Sequence, residues 1–141
     1  MYVCAIGAVA PEKRVNMTRI LLAEDEQAMR AYLTRALEKS GYDVIAVDRG
    51  TEAVPLLETE HFDLLLTDIV MPEMDGIELA RHCAKVSPKT EVMFITGFSG
   101  VALRAGESVP QAKILSKPFH LKDLVLEVER LFNREAATGQ I

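Results

Sequence analysis

The sequence contains little that would support a disulfide scaffold, a nucleic-acid binder or a membrane protein. Its 2 cysteines, Cys4 and Cys83, show neither CxxC nor paired spacing, which is typical of a reduced, cytoplasmic protein. Its 16 basic residues form no cluster and are outnumbered by 21 acidic residues, so direct binding to DNA is not expected. No apolar run approaches the roughly 18 residues that cross a bilayer. These absences predict a globular cytoplasmic protein without a membrane segment.

The length of 141 residues and the apolar fraction of 49% predict a single folded domain. Residues 1–17 do not join the pattern that follows. In this stretch Lys13 and Arg14 come after the apolar residues, whereas the charges of a signal peptide come first. We interpret 1–17 as a disordered, dispensable extension. The domain is predicted at 18–134, with a short fraying tail at 135–141 and no effector domain.

Apolar runs that predict strands alternate with stretches that predict helices. The predicted strands are 19–23, 43–47, 63–68, 91–96 and 112–116. The predicted helices are 28–41, 51–60, 76–88 and 120–134, and Pro55 is expected to be tolerated only in a first turn. Between Thr96 and Ala112, three glycines and a proline predict a short or irregular helix. The alternation predicts a parallel sheet with right-handed crossovers.

Polar side chains follow several of the predicted strands at their carboxyl ends. Glu24 and Asp25 follow the first strand, Asp68 ends the third, Thr96 ends the fourth and Lys117 follows the fifth. Ligands of open parallel sheets bind at this edge, so we expect one shared site. The alternative for Asp68 is a plain helix cap, and the alternative for the acidic pair is a solvated helix start.

Crowded carboxylates at such a site repel one another unless a cation lies between them. Magnesium prefers oxygen ligands, so Asp25 and Asp68 are predicted to bind Mg²⁺ directly, with Glu24 acting through water. Acids, a metal, a lysine and a hydroxyl together are typical of phosphoryl transfer, in which a carboxylate can itself be the nucleophile. The sequence has no GxxxxGK[ST] loop, so the phosphoryl group is expected to arrive on another donor.

Four segments carry these polar residues: ILLAEDE at 20–26, LLLTDIVMPEMDG at 64–76, VMFITG at 92–97 and SKPF at 116–119. Each is weak alone, but the four in this order resemble the motifs of the receiver domain of bacterial two-component response regulators. The resemblance covers residues 18–132. It implies an α/β, flavodoxin-like (βα)5 fold, with a five-stranded parallel sheet in the order 2-1-3-4-5 and helices on both faces.

The resemblance also implies a role for each site residue. Asp68 is the expected phosphoacceptor, and Thr96 and Lys117 are expected to contact the phosphoryl group. Asp25, Asp68 and the backbone carbonyl of Val70 are the expected Mg²⁺ ligands, with Glu24 acting through water. The phosphoryl donor is a phosphohistidine on a histidine kinase or phosphotransfer protein. The protein is therefore not expected to be an enzyme, apart from catalysing its own phosphorylation and dephosphorylation.

Two features depart from the usual receiver pattern. Ile114 stands where receivers often have an aromatic residue, three positions before Lys117, and the expected fourth helix is broken by glycine and proline. Both lie on the face that most receivers use for output, so an atypical output is predicted. The resemblance further implies a cis peptide bond between Lys117 and Pro118.

The predicted function is a stand-alone receiver whose Mg²⁺-dependent phosphorylation gates binding to a protein partner. The chain also resembles CpdR-type stand-alone receivers of alphaproteobacteria, which implies control of an AAA+ protease in the cell cycle. A second hypothesis is a phosphorelay intermediate that passes the phosphoryl group from Asp68 to a phosphotransfer protein. A third is a metal-binding flavodoxin-like protein that is not phosphorylated. Neither DNA nor a membrane is an expected partner.

Overall fold

The computed structural model describes the backbone of residues 18–97 and 99–140, and the side chains of 18–97 and 102–132. The predicted extension at 1–17 lies outside the described residues. The elements are, in chain order, β1 (Arg19–Ala23), α1 (Gln27–Lys39), β2 (Asp43–Val47), α2 (Gly50–Thr59), β3 (Leu64–Asp68), α3 (Gly76–Val86), β4 (Glu91–Thr96), α4 (Ser99–Ser108), β5 (Lys113–Ser116) and α5 (Leu121–Gln140).

The five strands form one parallel sheet in the order β2-β1-β3-β4-β5, which confirms the predicted topology. The central strand β3 is buried along its whole length, as its run of leucines predicts. Successive side chains of a strand point to opposite faces, so each buried strand contributes to two hydrophobic layers. The sheet therefore needs helices on both sides.

The core consists of two clusters separated by the sheet. On one side Leu33 and Leu37 of α1 and Leu124 and Val128 of α5 pack with alternate leucines and isoleucines of the strands. On the other side α2, α3 and α4 supply a second cluster, to which they contribute Ala53, Leu57, Leu79, Ala80, Cys83 and Ala105. This packing brings the carboxyl ends of all five strands to one edge of a rigid sheet.

The fourth helix differs from the prediction of an irregular segment. Residues Ser99–Ser108 form a continuous α-helix despite the glycines. Ala105 within it and Val109 just after it are buried against the core, and Pro110 follows the helix end, where it removes no helical hydrogen bond. Burial of one face outweighs a cost of about 1 kcal/mol for a glycine in a helix.

The second and last helices also depart from the predictions. Pro55 lies inside α2 beyond its first turn, so the expectation that it must lie in a first turn was wrong. Ala53 and Leu57 are buried on either side of it and secure the helix against the sheet. Helix α5 continues past Arg134 to Gln140, through most of the predicted tail. Within the described part of the chain, no helix combines the length and apolar character needed to cross a membrane.

Candidate functional site

The sheet register places the predicted site residues side by side. Ala23 pairs with Thr67, so Glu24 continues the register beside Asp68. Asp68 pairs with Ile95, and Thr96 is the next residue of β4. One carboxylate oxygen from each of Glu24, Asp25 and Asp68 lies within 4.8 Å of the others. The structure therefore brings the three predicted acids together.

Glu24 is the most deeply buried of these acids, with an exposure of 1%. Its Oε2 accepts a hydrogen bond from the Glu26 N–H at 3.0 Å, whereas its buried Oε1 has no hydrogen-bond partner among the described residues. Burial raises the pKa of Glu24 to about 7, the Glu26 hydrogen bond opposes this shift, and the Asp68 charge adds to it. A buried acid with one unpartnered oxygen indicates a place for a cation or a water.

Asp68 is the last residue of β3 at the same edge of the sheet, and its exposure is 9%. Its Oδ1 accepts a hydrogen bond from the Ile69 N–H at 2.8 Å, and its Oδ2 lies 3.6 Å from the Lys117 Nζ. Burial raises the pKa of Asp68, and the positive charge of Lys117 opposes that rise. A carboxylate that accepts one backbone hydrogen bond still has lone pairs that can bind a ligand.

Lys117 and Thr96 are connected through the ends of β4 and β5. The Lys117 N–H donates to the Thr96 carbonyl oxygen at 2.7 Å, and the Thr96 side chain is buried. The peptide bond between Lys117 and Pro118 is cis, as predicted. Thr96 and Lys117 therefore come from neighbouring strands and border the same acidic cluster.

The loop after β3 is held closely against Asp68. Val70 is 51% exposed and stands between the buried residues Ile69 and Met71. Gly76 begins α3, and its N–H donates to the Ile69 carbonyl oxygen at 2.8 Å. A Cβ at Gly76 would lie 2.2 Å from the Asp68 carbonyl oxygen, so only glycine fits there. Tight packing at Gly76 therefore holds the end of the loop against the backbone of Asp68 and Ile69.

This arrangement fits the predicted Mg²⁺ site. Three carboxylates converge, and the positive charge of Lys117 stands on one side of them. Hard oxygen ligands of this kind are those that Mg²⁺ prefers, and the ion keeps several waters that could reach the unpartnered Glu24 Oε1. The residues present therefore suit the cation that the sequence predicts.

Sequence reasoning missed three contributors to the site. The Arg30 Nη1 donates to the Glu24 carbonyl oxygen at 2.9 Å, the Ile69 N–H binds Asp68, and Gly76 packs on the Asp68 backbone. The Asp75-Gly76 step at the start of α3 is a signal that could have pointed to Gly76. Arg30 carries no comparable signal, because the sequence does not distinguish an arginine that bonds a backbone carbonyl from one that is solvated on the helix surface.

The chain matches the family described as the response regulator receiver domain over residues 20–129. The response regulator receiver protein CpdR of Brucella abortus is 58% identical over 116 residues, which are 82% of this chain and 97% of that protein. Several other curated relatives are longer, and the chain spans only about half of their length.

Solved structures of receivers superpose closely on this fold. The response regulator receiver protein from Sinorhizobium medicae matches with a TM-score of 0.78 at 31% identity, covering 84% of this chain and 97% of that one. The response regulator protein TrrA from Thermotoga maritima, in complex with Mg(2+)-BeF, matches with a TM-score of 0.74 at 29% identity, covering 82% and 99%. The region that matches the family, residues 20–129, includes the acidic edge described above. The chain is therefore similar to CpdR and belongs to the response regulator receiver domain family.

Proposed function

We propose that this protein is a signalling switch in which Asp68 accepts a phosphoryl group from a phosphohistidine and the phosphorylated state is read by a protein partner. The observation that carries this proposal is the buried Asp68 carboxylate, which belongs to the three-acid cluster and whose Oδ2 lies 3.6 Å from the Lys117 Nζ. A helix cap needs neither a lysine nor two further acids. The plain capping interpretation of Asp68 is thus disfavoured.

In the proposed reaction, a carboxylate oxygen of Asp68 attacks the phosphorus of the donor. A new P–O bond forms while the P–N bond to the donor imidazole breaks, and the electron pair of the broken bond stays on the imidazole nitrogen as the imidazole leaves. Asp25, Asp68 and the Val70 carbonyl would hold Mg²⁺, with Glu24 acting through water, and the ion would supply positive charge to the phosphoryl oxygens. Lys117 and the Thr96 hydroxyl would contact these oxygens, since both lie next to Asp68 at the same edge of the sheet.

A cleft beside Lys117 supports docking of the phosphoryl donor there. It encloses about 300 Å³ and is lined by Met29, Tyr32, Lys117, Pro118, Phe119 and Leu121. Tyr32 is 59% exposed, so an apolar surface borders the reacting groups. A histidine presented on a donor helix could pack its apolar neighbours into this cleft while the imidazole reaches Asp68.

The downstream partner proposed here is a component of an AAA+ protease. Support comes from the 58% identity with CpdR along 97% of that protein. The resemblance to CpdR-type receivers is the feature that implies control of an AAA+ protease. The net charge of −5 disfavours direct binding to the phosphates of DNA. We therefore propose a stand-alone cytoplasmic regulator that acts through protein contacts.

Acetyl phosphate with and without Mg²⁺ tests the first half of the proposal. The intact protein should gain one phosphate by mass spectrometry only when Mg²⁺ is present, and Asp68→Ala should gain none. Lys117→Ala should still be phosphorylated but should show a smaller conformational response. A phosphate that persists in Asp68→Ala would refute the assignment of the acceptor.

Binding to a purified AAA+ unfoldase tests the second half. The affinity should differ between the phosphorylated and unphosphorylated protein, and Asp68→Ala should behave as the unphosphorylated form under both conditions. Equal affinity in both states, or no binding in either, would remove the protease from the proposal and leave the phosphorylation intact.

A further inference from the structure

The loop that follows β3 makes a turn with unfavourable backbone geometry. Glu73 has a φ of 73°, and the Met74 N–H donates to the Pro72 carbonyl oxygen at 2.8 Å across it, which is a tight γ-turn. A residue with a Cβ rarely adopts this left-handed region, because its Cβ crowds the backbone. Contacts elsewhere must therefore hold Glu73 in place.

Those contacts come from the start of α2. The Thr51 Oγ1 donates to the Glu73 Oε1 at 3.2 Å, and the Arg49 Nη1 lies 3.7 Å from the Glu73 Oε2. The backbones also approach closely: a Cβ at Gly50 would lie 3.1 Å from the Met74 carbonyl oxygen. We call the contacts of Glu73 with Arg49 and Thr51 the Glu73 latch.

The latch secures the outer half of a loop whose inner half carries Val70. Ile69 and Met71 are buried and anchor the inner half, whereas Val70 and Glu73 are exposed. Among the hydrogen bonds and ion pairs of the described residues, the latch alone joins Pro72–Met74 to the rest of the structure. Met74 also packs partly against the core and lies close to Gly50. The position of the Val70 backbone therefore depends on both ends of this segment.

We propose that Arg49, Thr51 and Glu73 are positioning residues for the metal site, because the latch fixes the turn that presents the Val70 carbonyl. This inference rests on the proposed function, in which Val70 is a Mg²⁺ ligand. It assigns a role to three exposed side chains, none of which touches the metal or the phosphoryl group. Since exposed ion pairs are individually weak, the effect on Mg²⁺ affinity is modest.

Calorimetric titration with Mg²⁺ separates positioning from simple charge attraction. Glu73→Ala removes the latch and keeps the strained turn, so its Mg²⁺ affinity should fall about fivefold, the factor that an exposed ion pair and a hydrogen bond together supply. Glu73→Gln keeps the hydrogen bond from Thr51 and should stay within about twofold of the wild type. Glu38→Ala removes an exposed carboxylate at the far end of α1 and should change nothing.

The double variant Arg49→Ala/Thr51→Val best distinguishes positioning by the latch from an effect of charge alone, because the two explanations predict opposite changes in Mg²⁺ affinity. Losing a positive charge near a cation site strengthens Mg²⁺ binding by electrostatics alone, whereas losing the latch weakens it. Weaker binding supports the inference. Tighter binding, or equal losses in Glu73→Gln and Glu73→Ala, would show that charge alone acts and would overturn it.

A readout without metal keeps this test independent of the proposed function. The double variant leaves residues 69–76 unchanged, so solvent exchange of the Met74 amide, measured by NMR in EDTA, should accelerate relative to the wild type and to Glu38→Ala. Unchanged exchange would overturn the latch whatever the metal data show. If the wild type binds no Mg²⁺, the proposed function falls, and accelerated exchange would still establish that the latch holds the turn.

Discussion

At the scale of single residues, Glu24 combines deep burial with incomplete hydrogen bonding. One of its oxygens is bonded to the Glu26 N–H, and the other has no partner among the described residues. A buried polar atom left unpaired costs about 1–3 kcal/mol, and the neighbouring Asp68 is also acidic. Glu24 therefore lowers the stability of the metal-free protein while it favours a cation at this edge.

We predict that Glu24→Gln raises the stability of the metal-free protein by about 1 kcal/mol, because the neutral amide removes a buried charge and can donate to Asp68. The same change should reduce the stabilisation that saturating Mg²⁺ provides. Thermal unfolding in EDTA and in Mg²⁺ measures both effects, with Glu38→Gln as the control. A variant that is less stable in EDTA and keeps its full response to Mg²⁺ would contradict this explanation.

Cys83 illustrates a buried residue without a functional signal. Its side chain is fully buried in the core between the sheet and α3, and burial raises its pKa to about 11. Since the thiolate is the reactive form, each unit of pKa increase lowers the reactive fraction about tenfold at a given pH.

Cys83 should therefore resist iodoacetamide in the native protein and react quickly in urea. A Cys4→Ser variant makes Cys83 the sole reporter, and the labelled fraction is read by mass spectrometry over time. Because burial adds to the pKa effect, native labelling should be at least about a hundredfold slower than labelling of the unfolded chain. Similar rates in both conditions would show that the core around α3 opens readily.

At the scale of secondary-structure elements, Arg19 joins several segments at the amino ends of the strands. Its side chain bonds to Asp43 at 3.2 Å, to Glu60 at 3.0 Å and to the His61 carbonyl oxygen at 3.1 Å. The guanidinium also lies 4.8 Å from the centre of the buried Phe62 ring. Arg19 thus links β1, β2 and the segment between α2 and β3.

Arg19→Ala should lower the free energy of unfolding by about 2 kcal/mol, because several individually weak contacts and the packing of the arginine stem are lost together. Arg130→Ala is a suitable control, since Arg130 is 69% exposed and contacts only Glu127 in an i,i+3 pair among the ion pairs of the described residues. Urea denaturation compares the two variants. Equal, small losses in both would mean that the Arg19 contacts are as weak as isolated surface pairs.

The elements also show what sequence patterns can and cannot predict. The strand order was predicted from the resemblance to receiver domains. The meeting of Glu24, Asp68 and Thr96 follows from local motifs, because a parallel sheet brings the carboxyl ends of its strands together. The continuous helix α4 and Pro55 inside α2 could not be predicted, because burial against the sheet overrides their unfavourable local propensity. Long-range contacts such as the Glu73 latch depend on the packed structure alone.

At the scale of the whole molecule, different surfaces border the site on the side of Lys117 and on the side of Thr96. Cleft residues Met29, Tyr32, Phe119 and Leu121 border one side of Lys117, where donor docking is proposed. Helix α4 lies beyond Thr96 on the other side, with Leu103 70% exposed. We therefore expect the phosphoryl donor to bind one face of the molecule and the proposed partner to bind another.

Phosphorylation of Asp68 should alter the region from 97 to 111 more than any other. A phosphoryl group adds roughly two negative charges at neutral pH, and Thr96 and Lys117 are the groups placed to respond. Thr96 leads directly into the segment that forms α4, which two glycines weaken. Among the described side chains of α4 only Ala105 is buried, so this helix should be the least stable element near the site. Ile114 provides no aromatic ring to transmit the change, so backbone rearrangement must carry it.

Amide hydrogen exchange, with Mg²⁺ and beryllofluoride in place of the labile phosphate, tests this prediction. The largest change should fall between Gly97 and Gln111, and α1 and β2 should exchange as in the untreated protein. Asp68→Ala under the same conditions controls for binding of the ions elsewhere and should show no change. A response concentrated in α1 and β2, with 97–111 silent, would place the output face on the opposite side of the sheet. The partner-binding surface would then have to be sought next to the edge strand β2, because a surface that does not change with the state of Asp68 cannot report it.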